Sequence, residues 1–170
     1  LTGGLDLSLE KKLNNVNLRN TNLTDVVLPE TETLKTIYMA GISSLYLMNC
    51  PNVTTISITN YSHLLSLTTD NSTLALNAVN NAQNLNRIDF RNIDINVTNA
   101  SASDRMYSLL VGTNNMCTGH IQLNKTLTTT EKDALAAKYG NIYTDTSGGA
   151  SNMNNIVEYA VNRVGSEKIF

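Results

Sequence analysis

The chain has 170 residues and a net charge of −2, and only 15% of its residues are charged and 5% aromatic. Its 12 basic residues against 14 acidic ones argue against a nucleic-acid-binding protein, which needs a basic surface. The longest apolar runs are far shorter than the roughly 20 residues that cross a bilayer, so we expect no membrane insertion. Asn (25 residues) and Thr (21 residues) take the place that Lys and Glu usually hold on a protein surface.

A short apolar pattern, apolar-x-x-apolar-x-apolar, recurs between Leu13 and Ile95. The last two positions of each copy are two residues apart, so their side chains point to one face of a short strand. Paired copies are separated by about 21 residues, which predicts strands that bury their inward face against the next copy. The copies are Leu13/Val16/Leu18, Leu23/Val26/Leu28, Leu34/Ile37/Met39, Ile42/Leu45/Leu47, Val53/Ile56/Ile58, Leu64/Leu67 and Leu85/Ile88/Phe90.

The stretch Leu13–Leu23 reads L-x-x-V-x-L-x-x-T-x-L, and Ile42–Cys50 ends on Cys where a leucine-rich repeat has Asn or Cys. Leu28-Pro29 and the segment Leu47–Ile56 resemble the repeat subtype of bacterial surface proteins, although its usual Ala-Phe pair is missing. The resemblance covers about residues 5–95. It implies a short-stranded leucine-rich-repeat-like β-solenoid. With the segments that follow it, the predicted fold class is an α+β repeat, in which this solenoid carries a C-terminal α/β cap and a terminal helix.

Asn residues lie two positions beyond the last apolar position of several copies, at Asn20, Asn49, Asn60 and Asn92. Asn tolerates unusual backbone angles, and its amide bonds to nearby backbone groups. We therefore expect these residues to form the turns. We also expect their side chains to stack as an amide ladder inside the protein.

The apolar strand pattern weakens between Asn71 and Gln83 and stops after Asn96. Between Asn71 and Gln83, Ala residues predict a short helical or irregular segment, and Ser101 or Ser103 is placed to begin a helix that ends near Gly112. A strand–helix–strand unit follows: strand Ile121–Leu123, a capping box formed by Thr128 and Glu131, a helix closed by Gly140, and a strand that begins at Asn141–Tyr143. This unit resembles one found at the ends of repeat arrays in proteins of gut bacteria and their phages.

The last part of the chain is predicted to be a linker, Thr144–Ala150, and an amphipathic helix from about Asn152 to Val164. This helix either packs against the rest of the protein or binds a partner. The predicted organisation is a leucine-rich-repeat-like solenoid at 1–99, an α/β capping unit at 100–145, and a linker with a terminal helix at 146–170. Because the chain begins with Leu1, we expect it to be a piece of something longer.

Candidate chemistry is sparse. The sequence has no phosphate-binding glycine loop, no H-E-x-x-H and no C-x-x-C. Cys50 and Cys117 are interpreted as free buried thiols, and Cys50 with His63 lacks the further groups that a nucleophilic site needs. Four aspartates lie loosely together in the sequence, and we interpret them as a solvated face: Asp70, Asp89, Asp94 and Asp104. We therefore expect no catalytic residues, no cofactor and no metal site.

Tyr38, Tyr46 and Tyr61 fall at outward strand positions or at turns, and they are the candidate partner contacts. Exposed tyrosines bind sugars or proteins at a low entropic cost. The alternative is that each is an ordinary strand-surface residue.

These features predict a non-enzymatic structural or adhesion module. The first hypothesis is a segment of a phage virion protein, in a tail or fibre, that mediates assembly or contact with a host surface. The alternative is a leucine-rich-repeat adhesin of the bacterial cell surface, or of the extracellular space, that binds a protein or glycan. Under both hypotheses the expected partners are other protein chains, either virion subunits or a host-surface receptor, within a larger assembly.

Overall fold

A computed structural model describes residues 1–139, 142–145 and 155–159. The chain divides into two compact units, Leu1–Arg87 and Ile88–Phe170. The first unit contains seven described strands, a short 3-10 helix at Tyr61–His63 and one α-helix, α1 (Ser72–Asn81). The strands are β1 (Thr2–Asp6), β2 (Asn15–Leu18), β3 (Asn22–Val27), β4 (Thr36–Ala40), β5 (Ser44–Leu47), β6 (Thr55–Thr59) and β7 (Ser66–Thr69).

Strands of the first unit pair in parallel with the next strand but one. Strands β1, β3, β5 and β7 form one set, and β2, β4 and β6 form a separate three-stranded sheet. Val26 of β3 lies opposite Leu45 of β5, and Ile37 of β4 lies opposite Ile56 of β6. The chain therefore alternates between two sheets, and each strand places its apolar residues beside those of its neighbour.

Many of the apolar positions that the sequence pattern indicates lie in the core of the first unit, together with residues of α1. Leu28, Leu34, Ile37, Leu64 and Leu67 are fully buried. Each such side chain stabilises the fold by roughly 1.5–3 kcal/mol relative to leaving it exposed. Ile37 lies in β4 and Leu67 in β7, so the prediction of strands with inward apolar side chains is confirmed at these two positions.

The second unit is built on β8 (Arg87–Val97), whose first residue belongs to the first unit, and on β9 (Met116–Leu123), which pairs with it in parallel. Helix α2 (Ala100–Val111) connects them, and helix α3 (Thr129–Tyr139) follows β9. Strand β11 (Asn155–Tyr159) runs antiparallel to β9, and β10 (Ile142–Asp145) runs antiparallel to β11. A parallel pair joined by a helix is the elementary unit of α/β proteins.

Helix ends in the second unit are closed by side chains. Thr128 and Glu131 form the predicted capping box: the Thr128 N–H donates to Glu131 Oε2 at 2.9 Å, and the Glu131 N–H donates to Thr128 Oγ1 at 3.2 Å. At the end of α2, Lys138 Nζ donates to the carbonyls of Leu110 (2.6 Å) and Gly112 (2.5 Å). An ammonium at this position satisfies carbonyls that have no partner within the helix.

The predicted fold class, an α+β repeat with a leucine-rich-repeat-like β-solenoid, is wrong. The described residues form an α/β fold with four parallel strands in one set, a separate three-stranded parallel sheet, a further parallel pair in the second unit, and α-helices. The apolar spacing fixes which side chains point inward. It does not fix the fold class, because the same spacing suits any buried parallel strand.

The predicted terminal helix is also wrong where the structure describes it. Asn155–Tyr159, inside the range predicted as a helix, forms strand β11 and pairs with β9 from Leu123 to Gly119. Pairing along β9 satisfies the backbone groups of this segment, and the apolar residues of the segment fit a strand as well as a helix. The rest of that helix, the closing Gly140 and most of the linker lie outside the described residues.

The asparagines predicted at turns fall into two groups. Asn49, Asn60 and Asn92 have φ values of 54°, 58° and 53°, so the prediction of unusual backbone angles is confirmed for these three but not for Asn20. The predicted ladder inside the protein is wrong, because all four side chains are exposed. A different set donates from Nδ2 to backbone carbonyls on a preceding segment: Asn52 to Glu32 (2.7 Å), Asn84 to Ser62 (2.9 Å) and Asn124 to Thr98 (2.7 Å).

Candidate functional site

The outward side of the β2–β4–β6 sheet carries ordered rows of polar side chains. The strand register places Asn17, Tyr38 and Ser57 in one row, and Asn15, Thr36 and Thr55 in the row beside it. We call these six residues the polar face. Alternation along each strand puts Val16, Ile37 and Met39 on the opposite, buried side. The polar face is thus uncharged and is fixed in place by the core beneath it.

Tyr38, at the centre of its row, is held by a neighbouring cation. The Arg19 guanidinium lies 4.4 Å from the centroid of the Tyr38 ring. Arg19 Nε also donates to Asn17 Oδ1 at 3.2 Å. A stacked guanidinium contributes about 0.5–1 kcal/mol at an exposed position and limits the rotation of both side chains.

Arg19 also lines an open cavity of about 390 Å³ in the first unit, which we call the basic cleft. Its two ionisable residues are Arg19 and His63, and the described lining contains no Asp or Glu. The complete lining is Arg19, Thr21, Asn22, Leu23, Thr24, Ala40, Gly41, Asn60 and His63.

The imidazole of His63 is positioned by Gly41. Its Nδ1 lies 3.3 Å from the Gly41 carbonyl oxygen. A Cβ atom added at Gly41 would lie 3.1 Å from Nδ1, and Gly41 has a φ of +61°. Glycine at this position therefore provides both the left-handed backbone and the space for the ring.

A second cavity of about 580 Å³, the acidic cavity, lies elsewhere in the first unit. The Asn49 N–H donates to Asp70 Oδ2 at 3.0 Å, and Asn49 Nδ2 donates to Glu30 Oε2 at 2.9 Å. The Tyr46 hydroxyl donates to Glu30 Oε1 at 2.6 Å. Asp70, in the lining, and Glu30, outside it, are thus both engaged by the chain itself. The lining is Glu32, Asn49, Cys50, Pro51, Asp70, Asn71, Ser72 and Thr73.

Cys50 and Cys117 are buried thiols that form no disulfide, as predicted. The Cys50 thiol donates to the Pro29 carbonyl at 3.0 Å, and burial raises its pKa, which opposes formation of a reactive thiolate. Cys50 lines the acidic cavity and His63 lines the basic cleft. The structure therefore does not bring this pair together.

The three candidate tyrosines do not share one surface. Tyr38 lies on the polar face, and Tyr46 on β5 belongs to the other strand set. Tyr61 lies in the 3-10 helix between two residues of the basic cleft, and desolvation raises its pKa to about 12. Their role as partner contacts stays a prediction.

The basic cleft was not predicted from the sequence. Arg19 follows β2, whereas His63 ends the 3-10 helix between β6 and β7. The two residues share no sequence motif. They lie in one cleft because the strands pair. Without the strand register, the sequence does not indicate that Arg19 and Gly41 line the same cavity.

The aspartates of the predicted solvated face each have a partner within the protein. Asp89 pairs with Arg91 at 2.8 Å, and Asp94 lies 3.3 Å from His120. Asp104 pairs with Lys125 at 3.1 Å.

Among the described residues, no group of three or more His, Cys, Asp or Glu side chains is placed to hold a metal ion. None of the described helices has the length and apolar character needed to cross a membrane.

No protein-family model matches the chain, and neither the curated proteins nor the solved structures gave a match.

Proposed function

We propose that this chain is a non-enzymatic structural or adhesion module and that it forms a segment of a phage virion protein, in the tail or a fibre. In this role it contacts other virion subunits or a host surface. The observation that carries the proposal is the polar face, with its rows of amides and hydroxyls around Tyr38.

The chemistry of the polar face supports contact with another macromolecule. Asn, Ser and Thr side chains supply adaptable hydrogen bonds, and a tyrosine with restricted motion supplies contact area at little entropic cost. The Thr36 hydroxyl already donates to Asn15, which orders the second row. The strands beneath are in regular parallel register, so a partner meets a surface that needs little reorganisation.

The composition supports a place in the virion. Asn and Thr together exceed a quarter of the chain, which is typical of virion fibres. The resemblance of the capping unit to proteins of gut bacteria and their phages points the same way.

The test is to find where the protein resides. Particles are purified by density gradient from a culture that encodes this chain, and the particle and cell-envelope fractions are analysed by peptide mass spectrometry. We expect its peptides in the particle fraction at a constant ratio to a capsid subunit. Peptides confined to the cell envelope would overturn the virion assignment and support the surface adhesin.

Contact by the polar face is tested separately with the purified chain as a competitor of particle adsorption. Tyr38→Ser is expected to weaken competition at least severalfold, because it removes the central ring. Tyr107→Ser, a change at a half-buried tyrosine of the second unit, is the matched control and is expected to compete like the wild type. Equal competition by both variants would exclude the polar face as the contact surface.

A further inference from the structure

We propose that the basic cleft binds a carboxylate-bearing sugar residue of a glycan. The inference rests on the proposed adhesive function and names the ligand class for a site next to the polar face. It is carried by a pre-positioned guanidinium, an imidazole and neutral polar groups around one open cavity.

The Arg19 guanidinium is oriented without being neutralised. It is fixed by the Tyr38 ring at 4.4 Å and by Asn17 Oδ1 at 3.2 Å from Nε. Within the described part of the chain, no carboxylate lies within ion-pair distance of Arg19, in contrast to Arg91, Lys125 and their aspartate partners. A guanidinium held through Nε presents its terminal amino groups as a fork, which matches the two oxygens of a carboxylate.

His63 supplies a second group of suitable chemistry. With Nδ1 against the Gly41 carbonyl at 3.3 Å, the ring is anchored through one nitrogen. When Nδ1 carries the proton and donates to that carbonyl, Nε2 is the atom that accepts a hydrogen bond from a ligand hydroxyl. His63 is exposed, so a ligand reaches this atom from solvent.

The neutral lining favours a polyhydroxylated anion over a small inorganic one. The Thr21 hydroxyl donates to the Leu18 carbonyl at 2.8 Å, which leaves its oxygen lone pairs to accept from a sugar hydroxyl. The Thr24 hydroxyl is likewise committed as a donor, to Asp25 at 2.6 Å. Asn60 adds an exposed amide. Half-buried Ala40 offers a small apolar surface for the C–H groups of a sugar ring.

The volume agrees with this class of ligand. At about 390 Å³ the cleft lies at the lower end of the range of small-molecule sites, roughly 300–1,000 Å³. Because the cleft is open, it suits one sugar residue of a longer chain that extends into solvent.

The experiment is a titration of the full chain, labelled with ¹⁵N, with two carboxylate-bearing sugars, trigalacturonate and sialyllactose. The matched neutral probes are the methyl ester of trigalacturonate and lactose, and inorganic phosphate is a separate arm. We expect at least one acidic sugar to shift the backbone amide signals of Gly41 and Asn60, with at least tenfold weaker binding of its neutral counterpart.

Variants locate the site. Arg19→Gln is expected to weaken binding of the acidic sugar at least tenfold, and Arg19→Lys to restore only part of it, because Lys keeps the charge but lacks the fork. Lys12→Gln removes an exposed cation outside the cleft and is expected to change the affinity less than twofold. Since Arg19 and Lys12 are both exposed, neither change disturbs the core.

Three outcomes would overturn the inference: no shift at Gly41 or Asn60 with either acidic sugar, equal binding of the neutral counterparts, or phosphate binding as tightly as the sugars. These outcomes leave the proposed function standing if the peptides are found in particles. Conversely, if the protein binds acidic sugars but is confined to the cell envelope, the inference about the basic cleft stands and the virion assignment is overturned.

Discussion

The side-chain oxygen of Asn115 accepts a hydrogen bond from the backbone N–H of Ile88 at 3.1 Å. The same amide donates from Nδ2 to the Leu109 carbonyl at 2.9 Å, near the end of α2. Asn115 is only 5% exposed. One buried side chain therefore satisfies a backbone donor of β8 and a backbone acceptor of α2.

Replacing Asn115 by Ala leaves both backbone groups without this partner. We expect the free energy of unfolding to fall by about 1–3 kcal/mol, chiefly because the buried Ile88 N–H loses the partner that offsets its desolvation cost. The Leu109 carbonyl keeps the hydrogen bond from the Gly112 N–H at 3.3 Å. Urea denaturation followed by circular dichroism measures the change. The exposed neighbour Asn114 is the control, and Asn114→Ala is expected to change stability by less than about 0.5 kcal/mol. Similar values for the two variants would contradict the role of Asn115.

Ala substitutions at Gly119 of β9 and Gly3 of β1 distinguish the effect of a steric clash from the effect of backbone strain. Gly119 has a φ of +123°, and a Cβ atom there would lie 1.9 Å from the Ile93 carbonyl oxygen. Gly3 has a φ of +82° with nothing within 4 Å of the added atom. We expect Gly119→Ala to cost at least about 4 kcal/mol or to prevent folding. Gly3→Ala should cost only about 1–2 kcal/mol.

Thermal denaturation and the yield of soluble protein distinguish the two glycine variants. If Gly119→Ala is no less stable than Gly3→Ala, the close approach of Gly119 on β9 to the Ile93 backbone on β8 is incorrect. Gly4→Ala is a further control, because an added Cβ there would meet only ordinary contacts at 3.9 Å.

Glu131 makes the stability of α3 depend on pH. Its pKa is lowered chiefly by the hydrogen bond from the Thr128 N–H, and Lys125 at 3.0 Å adds to the effect. A carboxylate with a lowered folded-state pKa stabilises the protein above its ordinary pKa of about 4.3, and this contribution is lost as the pH falls through the folded value. We expect acidification below about pH 5 to lower the Tm of the wild type more than that of Glu131→Gln.

The matched control for this pH effect is Asp133→Asn, which removes an exposed carboxylate from the same helix. Its Tm should follow the wild-type dependence on pH. Parallel acid profiles for the wild type and Glu131→Gln would show that the capping box does not contribute through ionisation of Glu131.

Ionisation of Tyr61 is expected to make the stability of the protein depend on pH in the alkaline range. Burial raises its pKa to about 12 from an ordinary value of 10.0, because the phenolate is poorly solvated in the fold. Since the folded-state pKa is the higher one, stability present below pH 10 is lost as the pH rises towards 12. Ultraviolet titration of phenolate absorbance should show this late ionisation, and Tyr61→Phe should remove it. Ionisation of Tyr61 at its ordinary pKa would contradict its half-buried position.

The sequence was most informative where the determining contacts are local. Val26, Ile37 and Leu45 were predicted to be buried because a spacing of two residues fixes the side of a strand. The capping box at Thr128 was also predicted, because both of its hydrogen bonds join residues three positions apart. Such features depend on the immediate neighbours alone.

Features that depend on distant partners were predicted poorly. The N-cap of helix α2 is Asn99, whose side chain accepts from the Ala102 N–H, rather than Ser101 or Ser103. Ser103 instead bridges the Val97 carbonyl and the Asn124 N–H inside the protein. A small hydroxyl residue suits either position, and tertiary contacts decide between them. The fold class and the basic cleft were missed because both depend on which strands pair.

The strand registers of the first unit have a mechanical consequence. Each parallel pair described there joins residues that are 19 to 22 positions apart in the chain. Under tension, every ruptured pair therefore releases a similar length of polypeptide, about 70 Å for about 20 extended residues. Where strand pairs rupture one at a time, the unit extends under a pulling force in small, nearly equal increments.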